Sequence, residues 1–322
     1  MRLATFNLES LDLPPRSAMS IETRAVVLGP ALERLDADIL CLQEVNAQHV
    51  AGVKERQLVA LDRLLAATRY EHYARASTTS GGGHGAADVH NLVTLSRFPI
   101  SSQREIRHSH VEPARHAMLS GEQHVPQPVL FERPLLMTDI ELPHGASLTV
   151  INLHLRAPLA SAIPGEKAGP FRWRTMRGWA EGYYLSALKR TGQALELRLV
   201  VDEIQRGSPG VLLAVAGDFN AEDHETPLRL AIGATEDTGS SELAGQSLVV
   251  LDRALPKDRR WSVLHGGRPQ MLDHILASQA LYGRFRSVEV HNEALGDEMM
   301  AYEKSIDAAG SYHAGVVAVF DV

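Results

Sequence analysis

The chain has 322 residues, of which 44% are apolar and 22% charged, proportions that predict a globular protein with a large core and exclude disorder, collagen and coiled coil as overall descriptions. Lys and Arg total 32 against 39 Asp and Glu, a net charge of −7, which argues against a partner gripped mainly through many phosphates, such as long duplex DNA. The single cysteine, Cys41, excludes a disulfide framework and reads as a small core residue.

The opening run from Arg2 to Asn7 is too short for a secretory apolar segment, and no stretch approaches the roughly 18 apolar residues of a membrane helix, so a cytoplasmic protein without a membrane span is expected. In chain order, strands are predicted over 2–7, 38–43, 91–96, 134–141, 146–153, 211–216, 270–276 and 314–320, each a short run rich in Val, Ile, Leu and Thr. Helices are predicted over 22–35, 47–67 and 176–206, the last on the spacing of Leu188, Leu195 and Leu199. The turns Phe98-Pro99 and Pro143-His144-Gly145 predict antiparallel neighbours. No repeat and no linker divides the chain, so one domain over 1–322 is expected. The loops Ser80 to Gly85 and Leu155 to Trp173 stand out as functional or mobile, and His108-Ser109-His110 reads as a solvated loop.

Polar residues recur where apolar strands end. Asn7 closes the first, Glu44 the second, His154 the strand over 146–153, and Asp218 with Asn220 the strand over 211–216. In layered α/β sheets such ends converge on one crevice, and Asp273, His274 and His313 complete the set. Carboxylate and amide oxygens are hard ligands suited to Mg2+ or Mn2+, while imidazoles beside carboxylates move protons and bind anionic oxygens. This is the inventory of metal-assisted phosphoester hydrolysis. Zinc signatures of the H-E-x-x-H or C-x-x-C type do not occur.

The ordered motifs Thr5-Phe6-Asn7, Leu42-Gln43-Glu44, Leu95-Ser96-Arg97-Phe98-Pro99, Asn152-Leu153-His154, Gly217-Asp218-Phe219-Asn220, Leu272-Asp273-His274 and Ser311-Tyr312-His313 resemble the endonuclease/exonuclease/phosphatase, or deoxyribonuclease-I-like, superfamily from residue 3 to 320. The resemblance implies an α+β, four-layer α/β/β/α sandwich with two mixed sheets face to face. It also implies that Glu44, supported by Asn7, holds the catalytic metal, and that Asp218 positions and deprotonates water. Asn220 and His154 would bind phosphoryl oxygens, and His313 oriented by Asp273 would complete a proton-transfer pair.

One departure is Tyr312, where the family carries Asp. A neutral phenol is a poor magnesium ligand, although Tyr312 can hydrogen-bond a phosphoryl oxygen, as can Arg97. The stretch from Arg156 to Arg190 carries +5, leaving −12 elsewhere, and holds Phe171, Trp173, Trp179, Tyr183 and Tyr184. We expect it to form a substrate wall or lid, with Arg172, Arg174 and Arg177 as its binding residues. The expected function is a phosphodiesterase acting on a small or exposed phosphoester substrate, with no protein partner implied. Two other readings stand beside it: a nuclease for short or single-stranded nucleic acid, and a weakly catalytic binding protein motivated by Tyr312.

Overall fold

The computed structural model describes residues 1–81, 85–120, 125–169, 172–236, 238–299 and 309–322. The first of two six-stranded sheets contains β1 (Arg2–Leu11), β2 (Ile39–Val45), β3 (Ala74–Ser77), β4 (Asn91–Ser96), β17 (Phe285–Val290) and β18 (Val316–Phe320), in the order β17-β18-β1-β2-β4-β3. The second contains β5 (Ile100–Ile106), β8 (Leu135–Glu141), β9 (Ser147–His154), β12 (Leu212–Asp218), β13 (Val249–Val250) and β16 (Asp273–Ala277), in the order β13-β16-β12-β9-β8-β5. Three small hairpins pair β6 (Ala114–His116) with β7 (Gln127–Val129), β10 (Lys167–Gly169) with β11 (Arg172–Trp173), and β14 (Val263–His265) with β15 (Arg268–Gln270).

Alternation along the strands sorts the core into layers. Leu3, Ile39, Cys41, Val316 and Ala318 of the first sheet meet Leu148, Val150, Ala214, Ala216 and Ile275 of the second. Ala4, Leu40 and Leu42 turn outward onto α1 (Ile21–Leu35) and α2 (Val59–Leu65). Ile151, Leu153, Leu213 and Val215 face α3 (Met176–Gly207) and α4 (Thr226–Ile232). The architecture is therefore the expected four-layer sandwich. At roughly 1.5–3 kcal/mol for each buried aliphatic side chain, these interleaved layers outweigh any single polar contact. Beneath the crevice the core turns polar: Gln43 Nε2 donates to Asn152 Oδ1 at 2.8 Å and to Thr5 Oγ1 at 3.0 Å, while Asn152 Nδ2 donates to Val93 O at 3.0 Å, tying the sheets together at one level.

Several expectations are corrected. Of the helix expected over 47–67 only α2 forms. Gln48 pairs with Gln57 across a loop, and its side chain donates to Asp12 at 2.8 Å and accepts from the Ala60 N–H at 3.0 Å, which replaces helical bonds there. Phe98-Pro99 does not make a hairpin, because β4 and β5 belong to different sheets and the chain crosses between layers there. Pro143 to Gly145 does join an antiparallel pair, β8 and β9. On α3 the buried stripe is Leu185, Ala194, Leu197, Val200 and Val201; Leu188 packs half-buried against the cluster of Val129, Ile163 and Leu185, while Leu195 is 39% exposed. His108 is a built part of the structure rather than a solvated residue. Its Nδ1 lies 2.9 Å from Val111 O, its Nε2 accepts from Phe131 N, and the ring stacks on Phe131. Residues 82–84 of the Gly-rich loop and Phe171 lie outside the described residues.

Two buried carboxylates on α3 hold the segment between β5 and β8. Glu196 accepts the N–H groups of Ser109, His110 and Val111 at 2.7, 3.1 and 2.8 Å. Glu181 accepts those of Leu119 and Ser120 at 2.6 Å each and lies 2.7 Å from His116 Nε2. These bonds, together with that imidazole, hold the Glu181 carboxyl at about 2 against the upward push of burial.

Candidate active site

Regular strand pairing assembles one half of the crevice. Asp218 is in register with His154 on one side and with Asp273 on the other, and all three lie on the face turned towards the first sheet. His154 Nε2 lies 3.3 Å from Asp218 Oδ2. Gly217 is required before Asp218: its φ is +151°, and a Cβ there would stand 2.0 Å from Leu153 O. The chain then turns sharply at Asn220, whose φ is +48°. Its N–H donates to Asp218 Oδ1 at 2.8 Å, and its Nδ2 donates to Asp218 Oδ2 at 3.2 Å and to Leu155 O at 3.1 Å.

The first sheet supplies the opposite wall by a different device. Strict alternation would send Glu44 outward with Leu40 and Leu42, but its φ of +59° breaks the register with β4, and Val45 takes the outward place. The Glu44 carboxylate accepts from Ser10 N at 2.9 Å, Ser10 Oγ at 3.0 Å and Asn7 Nδ2 at 3.4 Å. Asn7 Nδ2 also donates to Asp218 at 3.1 Å, so this amide bridges the carboxylates of the two sheets. Glu9 and Ser10 likewise have positive φ, and buried Arg24 braces their carbonyls and that of Leu8, the last at 2.6 Å. At the chain's end Ser311 Oγ donates to Asn7 O at 2.8 Å and accepts from His313 N. His313 Nδ1 lies 2.8 Å from Asp273 Oδ2.

The electrostatics separates these groups. Burial raises the Asp218 pKa, Asp273 adds to it, and the result stands at about 7. His313 goes well above the ordinary imidazole range, because Asp273 overcomes the opposing effect of burial. His154 goes well below it through burial and the neighbouring Arg133 and His90. Burial also pushes Glu44 up, but His90, Arg133, His313 and the Ser10 bond hold it below the usual carboxylate range.

His90 and Arg133 belong to this crevice and were not among the residues expected. His90, with φ +58°, places Nδ1 3.9 Å from Glu44 Oε2, and its ring stands edge-on to His154 at 6.3 Å between centroids. Arg133 donates through Nη1 to Leu155 O at 3.2 Å, while its buried Nε has no hydrogen-bond partner among the described residues and its charge acts on Glu44 and Asp218. Both residues lie just before antiparallel strands, β4 and β8, which begin at the edge where β2 and β9 end. That connection is the signal that would have found them.

Other expected residues lie elsewhere. Arg97 follows Ser96, which pairs with Ile39 at the far edge of the sheet, and its Nη2 bonds Asp38 at 3.0 Å. The Tyr312 ring lies against Gly296 and, with Val27, Ala31, Arg34, His291 and His313, lines a cleft of about 370 Å³ beside α1. Arg174 donates to Lys167 O at 3.2 Å and Arg177 to Leu119 O, while Arg172 is exposed on β11. From the same stretch it is Arg190 that reaches the crevice, donating to Asn220 O.

The donor set suits a hard divalent cation. Among the described residues, Asp218, Asp273 and His313 each offer an atom within 4.8 Å of the others, the buried Asp273 Oδ1 has no hydrogen-bond partner, and Glu44 stands across the crevice. Among the described residues no helix is long and apolar enough to cross a membrane.

A model of the Endonuclease/Exonuclease/phosphatase family matches residues 4–313. Among solved structures, truncated TDP2 from Caenorhabditis elegans is similar at a TM-score of 0.57 and 16% identity, over 100% of this chain and 97% of that one. A family protein from Leptotrichia buccalis is similar at 0.57 and 14% over 100% of both chains, and an AP endonuclease from Archaeoglobus fulgidus at 0.55 and 16% over 100% of both. No curated protein matches in sequence. With a crevice of this composition and a family match across nearly its whole length, the chain belongs to the Endonuclease/Exonuclease/phosphatase family and is a metal-dependent hydrolase acting on phosphoester bonds.

Proposed function

We propose that this protein is a phosphodiesterase that cleaves a small or exposed phosphodiester by attack of an activated water. The carrying observation is the row His154, Asp218 and Asp273 on three paired strands, facing Glu44 across the crevice. Glu44, oriented by Asn7, is the residue we assign to holding Mg2+ or Mn2+, and such an ion supplies charge neutralisation and a more acidic bound water. Asp218, with its pKa pushed to about 7, receives the proton of the attacking water. His154 and Arg133 hold phosphoryl oxygens, Asn220, whose amide hydrogens go to Asp218 and Leu155 O, orients the Asp218 carboxylate, and His313, fixed by Asp273, donates to the leaving oxygen. The whole chain is read as one catalytic unit, with residues 156–190 as a wall or lid.

A second reading, a nuclease for single-stranded nucleic acid, is favoured by the exposed Trp179 and Tyr183, whose rings lie 5.5 Å apart and offer faces on which bases stack. Initial rates on a chromogenic diester, a single-stranded oligonucleotide and duplex DNA, each with Mg2+, Mn2+ or chelator, test both. The phosphodiesterase reading expects metal-dependent turnover of the small diester with weak salt dependence. Turnover confined to oligonucleotides, falling steeply with salt, establishes the second instead.

A further inference from the structure

Directly behind the crevice floor, on the face of β16 opposite Asp273, lies a second histidine. His274 is fully buried, with Nδ1 2.9 Å from Asp252 Oδ1 and Nε2 3.0 Å from Ala221 O, and its ring packs edge-on against Phe219 at 5.5 Å. A carbonyl can only accept, so Nε2 carries a hydrogen. Asp252 is itself fully buried and accepts from Arg260 Nε at 2.7 Å, and Arg260 continues to Asp223 at 3.2 Å. Charged networks of this kind are costly to desolvate, and an apolar side chain of similar volume fills such a space at lower cost. Packing alone therefore does not account for it.

The attachment point is what matters. Ala221 follows Asn220, the residue at φ +48° whose N–H and Nδ2 both bond Asp218. A non-glycine residue in that conformation costs on the order of 1 kcal/mol and persists only where its surroundings over-determine it. Arg190 holds Asn220 O from one side, and His274 holds the next carbonyl from the other. We propose that His274, anchored by Asp252, is a positioning residue that clamps the turn at Asn220 and so aims the Asp218 carboxylate into the crevice. Because His274 adjoins Asp273 in β16, the same ring ties the Asp218 arm of the site to the strand that carries the His313 partner.

This inference rests on the catalytic reading of Asp218 and Asn220, and its test carries a readout that needs no turnover. His274→Leu keeps the volume and removes both donors, His274→Gln retains one donor able to reach Ala221 O, and Asp252→Ala keeps the ring but removes its anchor. In His274→Leu, kcat on the chromogenic diester is expected to fall about 10²-fold with KM nearly constant, because a misplaced base leaves substrate binding intact. Hydrogen exchange at the Asn220 amide is expected to quicken about tenfold relative to the amides of β12, with partial recovery of both readouts in His274→Gln. Should His274→Leu fail to fold, Asp252→Ala decides by the same two measurements. Unchanged kcat and unchanged Asn220 exchange in a folded variant, whatever the loss in Tm, overturn the proposal. If the unaltered protein cleaves no phosphodiester, the functional reading fails alone, and the exchange measurement still decides whether His274 clamps the turn.

Discussion

The two sheets bring their side chains to the crevice by opposite means. In the second sheet, His154, Asp218 and Asp273 are placed by ordinary pairing and alternation, and the positive φ at Asn220 falls beyond the strand end, where it trims the Asp218 carboxylate. In the first, Glu44, His90, Glu9 and Ser10 all adopt positive φ and depend on braces such as Arg24 and the Asn46 side chain, which accepts from His90 N at 2.9 Å. One wall is built on register and the other on local strain. The comparison teaches that equal chemical importance does not mean equal energetic cost: strain can be relieved by substitution, whereas register cannot.

Asp218→Asn gives the largest expected effect on rate, a loss in kcat of about 10³–10⁴-fold without unfolding, measured on the chromogenic diester. It also tests the pH dependence. Because the folded pKa of Asp218 is raised, its neutral form stabilises the fold at low pH, and that contribution is lost as pH rises from about 4 to about 7. In chelator, denaturation midpoints of the parent should therefore fall with pH across this window more steeply than those of Asp218→Asn. Equal slopes would mean that Asp218 titrates like an exposed carboxylate.

Gly217→Ala attacks the register of the second sheet. With Leu153 O at 2.0 Å from the new Cβ, a loss of more than about 3 kcal/mol is expected by urea denaturation. A loss under 1 kcal/mol would show that β9 and β12 yield more readily than the comparison holds.

Arg133→Met tests the charge that faces the buried carboxylates. Because that charge acts on Glu44 and Asp218, removing it should cost about 10²-fold in kcat/KM and lower Tm at neutral pH as well. Lower Tm with intact kinetics would recast this guanidinium as structural.

The smallest effect sharpens the contrast between the walls. His90→Gly should relieve strain and raise stability by up to about 1 kcal/mol, whereas His154→Gly, within a regular strand, should lower it. Equal losses at both positions would remove the distinction between strain and register.

Much of this organisation was legible in the chain. The central strands and α3 follow from apolar periodicity, and the residues that close strands, Asn7, Glu44, His154, Asp218 and Asn220, do gather at one edge. His90 and Arg133 were missed because they precede strands rather than end them, and an antiparallel partner delivers its beginning to the same edge. Arg97 was misplaced for the mirror-image reason: it ends β4, which runs the other way from β2. The inward turn of Glu44 depends on one φ value, which composition and periodicity do not record.

The paired carboxylates of α3 have a consequence for how such a chain can change. Glu181 and Glu196 grip residues 109–111 and 119–120 mainly through main-chain N–H groups, which every amino acid except proline possesses. The path of these stretches of the segment leading to Arg133 is thus set largely by the helix, with His108 and His116 the segment side chains that add to it. Its outward-facing residues can be exchanged without moving the backbone that delivers that arginine, leaving this rim open to diversification above a fixed floor.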